Sequence, residues 1–80
     1  MELISLLQLA LHNKKDDCWI SLNGIVYDVT EFMNFHPGGD TVIMKYAGQD
    51  CTNQFRQTHS AFLNIEKRIG RYKKGLLHLI

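Results

Sequence analysis

Val26-Tyr27-Asp28-Val29-Thr30-Glu31-Phe32-Met33-Asn34-Phe35-His36-Pro37-Gly38-Gly39 is the stretch on which the reading of this chain turns. Its first part is β-rich and continues a pattern that starts upstream. Cys18-Trp19-Ile20-Ser21-Leu22 and Ile25-Val26-Tyr27-Asp28-Val29 flank Asn23-Gly24, a pair suited to two consecutive positive φ angles, so a hairpin is expected. From Thr30 the pattern turns helical, and the helix must stop before Pro37, because the residue preceding a proline avoids α geometry. His36 therefore lands in a loop. Pro37 fixes φ there, and Gly38-Gly39 let other groups approach the backbone closely, so one imidazole stands on a stiff, nearly side-chain-free platform.

Working outward, Asp40 is placed to cap a helix through Val42, Ile43, Tyr46 and Ala47, with Gly48 ending it in a left-handed turn. Asp50 is placed to cap the next helix, in which Cys51 and Phe55 lie one turn apart and His59 follows at the next such position or just past the end. Ser60 opens a last helix with Phe62, Ile65 and Ile69 on one face, and Gly70 closes it. Arg71-Tyr72-Lys73 reads as a final strand. At the other end, Leu3, Leu6, Leu7, Ala10 and Leu11 recur at spacings of three and four, which predicts a core-facing helical stripe that Ser5 caps. Lys14-Lys15-Asp16-Asp17 reads as a polar loop. The expected class is α+β: a small sheet at one side and four short helices between Thr30 and Ile69, in one domain over residues 1–80.

Composition narrows the possible functions. At 80 residues, with 45% hydrophobic and 21% charged residues, the chain has the balance of a folded domain with a marginal core. A large apolar cofactor that binds only the folded state would stabilise it strongly. The formal net charge of +1 gives no field to draw the whole chain to nucleic acid. Two cysteines, Cys18 and Cys51, are too few for a disulfide scaffold and lack CxxC spacing, so free thiols in a reducing intracellular compartment such as the cytoplasm are expected. The start lacks a positive n-region, and Gly75-Leu76-Leu77-His78-Leu79-Ile80 falls far short of the roughly 20 residues of a spanning helix. A soluble chain with no membrane anchor is expected.

His36 and His59 are separated by 23 positions, enough for the chain to double back and present the second imidazole opposite the first. Two neutral imidazoles across a gap lined by Phe32, Val42, Ile43, Phe55 and Leu63 suit a metal carried in a flat apolar macrocycle, because haem iron accepts axial histidine. Filling both axial positions leaves one-electron transfer as the chemistry. Taken singly, a histidine is an ordinary surface or hydrogen-bonding residue, and His12, in a polar loop, and His78, in a tail, are read that way. Zinc held by His36, His59, Cys18 and Cys51 has the stoichiometry but not the close paired spacing. Covalent c-type attachment is excluded by the absence of CxxCH.

Taken together, these residues resemble the cytochrome b5 family. The resemblance runs from His12-Asn13 through Trp19, Val26-Tyr27-Asp28-Val29-Thr30, Phe32, His36-Pro37-Gly38-Gly39, Ala47-Gly48, Phe55 and His59-Ser60 to Ile69-Gly70, which is most of the chain. It implies a cytochrome b5-like fold and a noncovalent haem b with iron ligated by His36 and His59. The pocket it implies comprises Leu22, Val29, Phe32, Val42, Ile43, Ala47, Phe55 and Leu63, with Ile65 a further candidate, and Ser60 matches a position that bonds a haem propionate. The role implied is that of a monomeric electron-transfer protein and not an enzyme. It would take electrons from a flavoprotein reductase and pass them to an oxidase, desaturase, hydroxylase or other haem protein.

The chain also departs from that family. The segment from Phe55 to His59 is one residue shorter than in microsomal members, the following helix is shorter by about two more, and the tail anchor is missing. Lys45 and Arg56 stand beside Asp40 and Asp50, which thins the acidic docking face. Lys67, Arg68, Arg71, Lys73 and Lys74 crowd the C-terminal quarter, as a solvated face with favourable charges at a helix end or as a patch for an acidic partner. Two alternatives to a free-standing carrier are a haem-based sensor in which one histidine detaches, and a domain of a larger oxidoreductase.

Overall fold

The computed structural model describes residues 2–35, 43–57 and 66–78. Strands β1 (Glu2–Ser5), β2 (Asn13–Lys14), β3 (Asp17–Leu22), β4 (Ile25–Asp28) and β5 (Lys73–His78) form one mixed sheet in the order β1-β5-β4-β3-β2. The helices are α1 (Leu6–Ala10), α2 (Thr30–Phe35) and α3 (Thr52–Arg56), with residues 43–44 and 66–69 also helical and a 3-10 turn over Gly70–Tyr72.

The expected hairpin forms around Asn23 (φ 55°) and Gly24 (φ 82°), so both turn positions take the left-handed geometry that Asn-Gly favours. Its register pairs Trp19 with Asp28, Ile20 with Tyr27, Ser21 with Val26 and Leu22 with Ile25. Successive side chains point to opposite faces of a sheet, so Ile20, Leu22 and Tyr27 share one face and Trp19 and Val26 the other. Each face carries its own buried cluster.

Four readings need correction. Residues 2–5 are a strand, not the start of a helix, and α1 begins only at Leu6 behind a Ser5 capping box, in which Ser5 and Gln8 bond each other's backbone amides. The expected Leu3-Leu6-Leu7-Ala10-Leu11 stripe is therefore on the outside: Leu7 and Leu11 are 83% and 73% exposed, while Ile4 and Leu9 are the buried residues. Lys14-Lys15-Asp16-Asp17 is a tight β2–β3 turn, with Lys14 opposite Asp17. The last strand starts at Lys73, after the 3-10 turn that holds Arg71 and Tyr72, and runs on through Gly75 and Leu77 to His78. His78 is thus a strand residue opposite Ser5, not a tail residue.

The segment read as a tail is a central strand, parallel to β1 and antiparallel to β4. Gly75 is required there for space: a Cβ at this position would overlap the carbonyl of Glu2 and press on the Ile4 side chain.

Candidate functional site

Asp28 closes β4 and opens α2. Its Oδ1 accepts from the Thr30 amide (3.2 Å) and the Thr30 hydroxyl (2.7 Å), and Thr30 Oγ1 in turn accepts from the Cys18 amide (2.9 Å). The first turn of α2 is thereby tied to both hairpin strands, and Phe32, one residue further into the helix than Glu31, is buried. α2 ends at Phe35, immediately before His36.

α3 is anchored in a similar way. Asp50 bridges to Ser21 on β3: the Ser21 hydroxyl donates to Asp50 Oδ1 (3.0 Å), and the Cys51 amide to the Ser21 carbonyl (2.9 Å). The same carboxylate oxygen accepts from the Thr52 amide and hydroxyl, so Asp50 starts α3 as expected. The preceding turn ends at Gly48, whose φ of +74° is the left-handed geometry expected of it, and whose amide donates to the Trp19 carbonyl at 2.7 Å.

These anchors gather one apolar cluster on the α2/α3 face of the sheet. Leu22, Val29, Phe32, Ile43 and Ala47, all expected pocket residues, lie in it together. Phe55 falls within α3. His36, Val42, His59, Ser60 and Leu63 lie outside the described residues, as do Asp40, Phe62 and Ile65. The cluster also contains Cys18, Ile20, Tyr27, Cys51 and Ile69, which were not expected in it. For Cys18 and Ile20 the signal was present in the strand period, since both alternate with Leu22 on one face.

The donor chemistry of this region suits an apolar group and not a bare cation. Both thiols are free and fully buried. Burial pushes Cys18 up to about 11, with Asp28 and Asp17 adding to the effect, and pushes Cys51 up to about 12, with Asp50 adding. The Cys51 thiol donates to the Ser21 carbonyl at 3.3 Å. Thiols held protonated in this way are poor zinc ligands, and among the described residues no group of three or more His, Cys, Asp or Glu is placed to hold a metal. The residues of the cluster are those that would give a flat, mostly apolar macrocycle apolar contact.

His12, by contrast, has a structural setting. Its Nδ1 lies 2.7 Å from Asp17 Oδ1, and its ring stacks on Trp19 with centroids 3.6 Å apart and planes 7° from parallel. No helix among the described residues is long and apolar enough to cross a membrane.

The comparisons agree with this geometry. The family model described as "Cytochrome b5-like Heme/Steroid binding domain" matches residues 5–78. Cytochrome b5 reductase 4 of Xenopus tropicalis is 54% identical over 62 residues, and the L-lactate dehydrogenase (cytochrome) of Saccharomyces cerevisiae is 48% identical over 71. These matches cover 78% and 89% of this chain but span 12% of the length of each relative. Among solved structures, cytochrome b558 of Ectothiorhodospira vacuolata, titled a prokaryotic homologue of cytochrome b5, superposes with a TM-score of 0.79 at 30% identity. That alignment covers 96% of this chain and 99% of the other. The cytochrome b5 of Ostreococcus tauri virus 2 gives 0.76 at 37%, covering 92% and 82%. With residues 5–78 matched and the fold shared with these structures, the chain belongs to the cytochrome b5-like heme/steroid-binding domain family.

Proposed function

We propose that this chain is a one-electron carrier that holds a noncovalent haem b between His36 and His59. Leu22, Val29, Phe32, Val42, Ile43, Ala47, Phe55 and Leu63 would form the apolar wall, and Ser60 would bond a propionate. The observation that carries the reading is the buried cluster of Leu22, Val29, Phe32, Ile43 and Ala47, which α2 joins through Phe32 and which Cys51, next to the start of α3, also joins. α2 leads directly into His36, and α3 ends three residues before His59. When bound, the haem would supply a reversible iron couple, and ligation by both His36 and His59 would leave outer-sphere electron transfer as its chemistry. The protein's own part is to exclude water with the apolar wall and to hold the imidazoles by short anchored helices. The expected donor is a flavoprotein reductase and the acceptor another redox enzyme, in a reducing compartment such as the cytoplasm.

A second reading keeps the chemistry and changes the setting. The lengths of the reductase and dehydrogenase relatives, of which this chain spans 12%, support a carrier module that exchanges electrons with an attached catalytic domain.

The absorption spectrum is the test. Purified protein should be red, with a sharp Soret band that moves on dithionite reduction and resolved α and β bands; a colourless protein that refuses hemin would overturn the reading. Reduced parent protein should ignore carbon monoxide near neutral pH. His59→Ala should retain haem and gain carbon monoxide binding, whereas His36→Ala, at the residue followed in sequence by Pro37-Gly38-Gly39, should lose haem more severely. Ready carbon monoxide binding by the parent would favour a sensor.

A further inference from the structure

The positive charge of this chain is concentrated. Lys67, Arg68, Arg71, Lys73 and Lys74 face one carboxylate, Glu66, within nine residues, leaving four cations against seven carboxylates in the rest of the sequence. All five side chains are exposed, and among the described residues none of them is ion-paired. Two are held in place by rings: Arg71 Cζ lies 5.7 Å from the centre of the Tyr72 ring and Lys74 Nζ lies 5.5 Å from that of Trp19. Unpaired cations that are already positioned lose less side-chain freedom when a carboxylate arrives.

Beside them is a groove of about 440 Å³, lined by Asp28, Thr30, Glu31, Tyr72, Lys73 and Lys74. Its lining has both signs. Asp28 is committed to Thr30, but Glu31 is exposed and points the preference away from a uniform polyanion. Among the described residues, the two neighbouring rings are each already approached by a cation of the chain itself, and His12 stacks on Trp19 as well, so neither stands free for a nucleic-acid base. The partner that fits is a protein segment rich in carboxylates with an occasional cation of its own for Glu31. We infer that the surface from Lys67 to Lys74, with the adjoining groove, is a docking site for an acidic protein segment. Tyr72 also meets Phe32 edge-on, with ring centres 6.5 Å apart, so a partner docked in the groove lies against a ring in contact with the buried cluster.

The test is binding of a fluorescein-labelled peptide of repeated Glu-Glu-Lys to the whole chain as purified, followed by anisotropy and by amide chemical shifts. Both readouts are independent of haem, so failure here is distinct from failure of the carrier reading. The expected shifts fall on residues 67–74 and on Asp28, Thr30 and Glu31, and affinity falls as salt screens the charges. Arg71→Gln with Lys73→Gln should weaken binding about fivefold, as should the exposed pair Lys67→Gln with Arg68→Gln if the first variant fails to fold, while Lys45→Gln leaves it unchanged. Absence of binding, shifts elsewhere, indifference to both pairs, or tighter binding of oligothymidylate or phosphatidylserine vesicles than of the peptide would overturn the proposal.

Discussion

The two faces of the sheet are built differently from adjacent residues of the same strands. Val26 and Tyr27 are neighbours in β4, yet Val26 packs with Ile4 of β1 and Leu9 of α1, and Tyr27 with the larger cluster that holds Phe32 of α2 and Cys51 next to the start of α3. The small cluster is framed by β1, the sheet and a capped helix. The large one gathers Cys18, Val29, Phe32, Ile43, Cys51 and Ile69 from segments that are each too short to be stable alone. One face is closed by a strand and a capped helix. The other is closed by short segments held to the hairpin through the Asp28–Thr30 and Ser21–Asp50 hydrogen bonds.

Phe32→Ala tests the second face most severely. Truncating a buried phenylalanine should cost about 3–5 kcal/mol, read from the thermal or urea transition. On the carrier reading it should also speed transfer of haem to apomyoglobin. A destabilised variant that keeps its haem as well as the parent would separate the cluster from the pocket.

Leu9→Ala sharpens the contrast from the other side. The residue is fully buried beneath α1, and its truncation should cost about 3 kcal/mol. Below its own melting temperature the folded variant should keep the parent spectrum and haem transfer rate. Faster haem loss from this variant would mean that the two faces are mechanically one.

The smallest effect is one of pH. In the unfolded chain Cys18 and Cys51 ionise near their ordinary 9.0, whereas in the folded protein burial holds their protons to about 11 and about 12. The folded state therefore binds more protons across that interval. The stability contributed by the neutral thiols is complete below about pH 9 and declines as the pH rises through 11 and 12. Urea midpoints measured across this range should fall less steeply for Cys18→Ala and Cys51→Ala than for the parent. Equal slopes would show that the thiols are not sealed in the large cluster.

What the sequence revealed follows the range of the interactions. The hairpin was legible because Asn23-Gly24 sets its geometry locally, and the starts of α1 and α3 because Ser5 and Asp50 act within three residues. β1 and β5 were not. Leu3 to Leu11 fits a helical period well, and what makes residues 2–5 a strand is pairing with residues 75–78. Gly75-Leu76-Leu77 offers neither alternation nor a turn signal, since its place is set by the strands on both sides of it. Phe32 and Ile43 were placed by their position between the two histidines, Leu22, Val29 and Ala47 by resemblance, and the five share one cluster. Cys51 and Ile69 were missed because their burial depends on the Ser21–Asp50 bridge and on the turn before β5, which no local pattern announces.

The pairing of β1 with β5 also sets an order for the chain as it is made. The β3–β4 hairpin can close as soon as its own residues emerge, but among the described residues β1 pairs only with β5, the last of the five strands in chain order. Until then Glu2–Ser5 is an open edge and the α1 face lacks Leu77. Of the five strands, β1 is therefore made before its partner and placed only after it, and in the interval its Leu3 and Ile4 edge is open to a chaperone or another nascent chain.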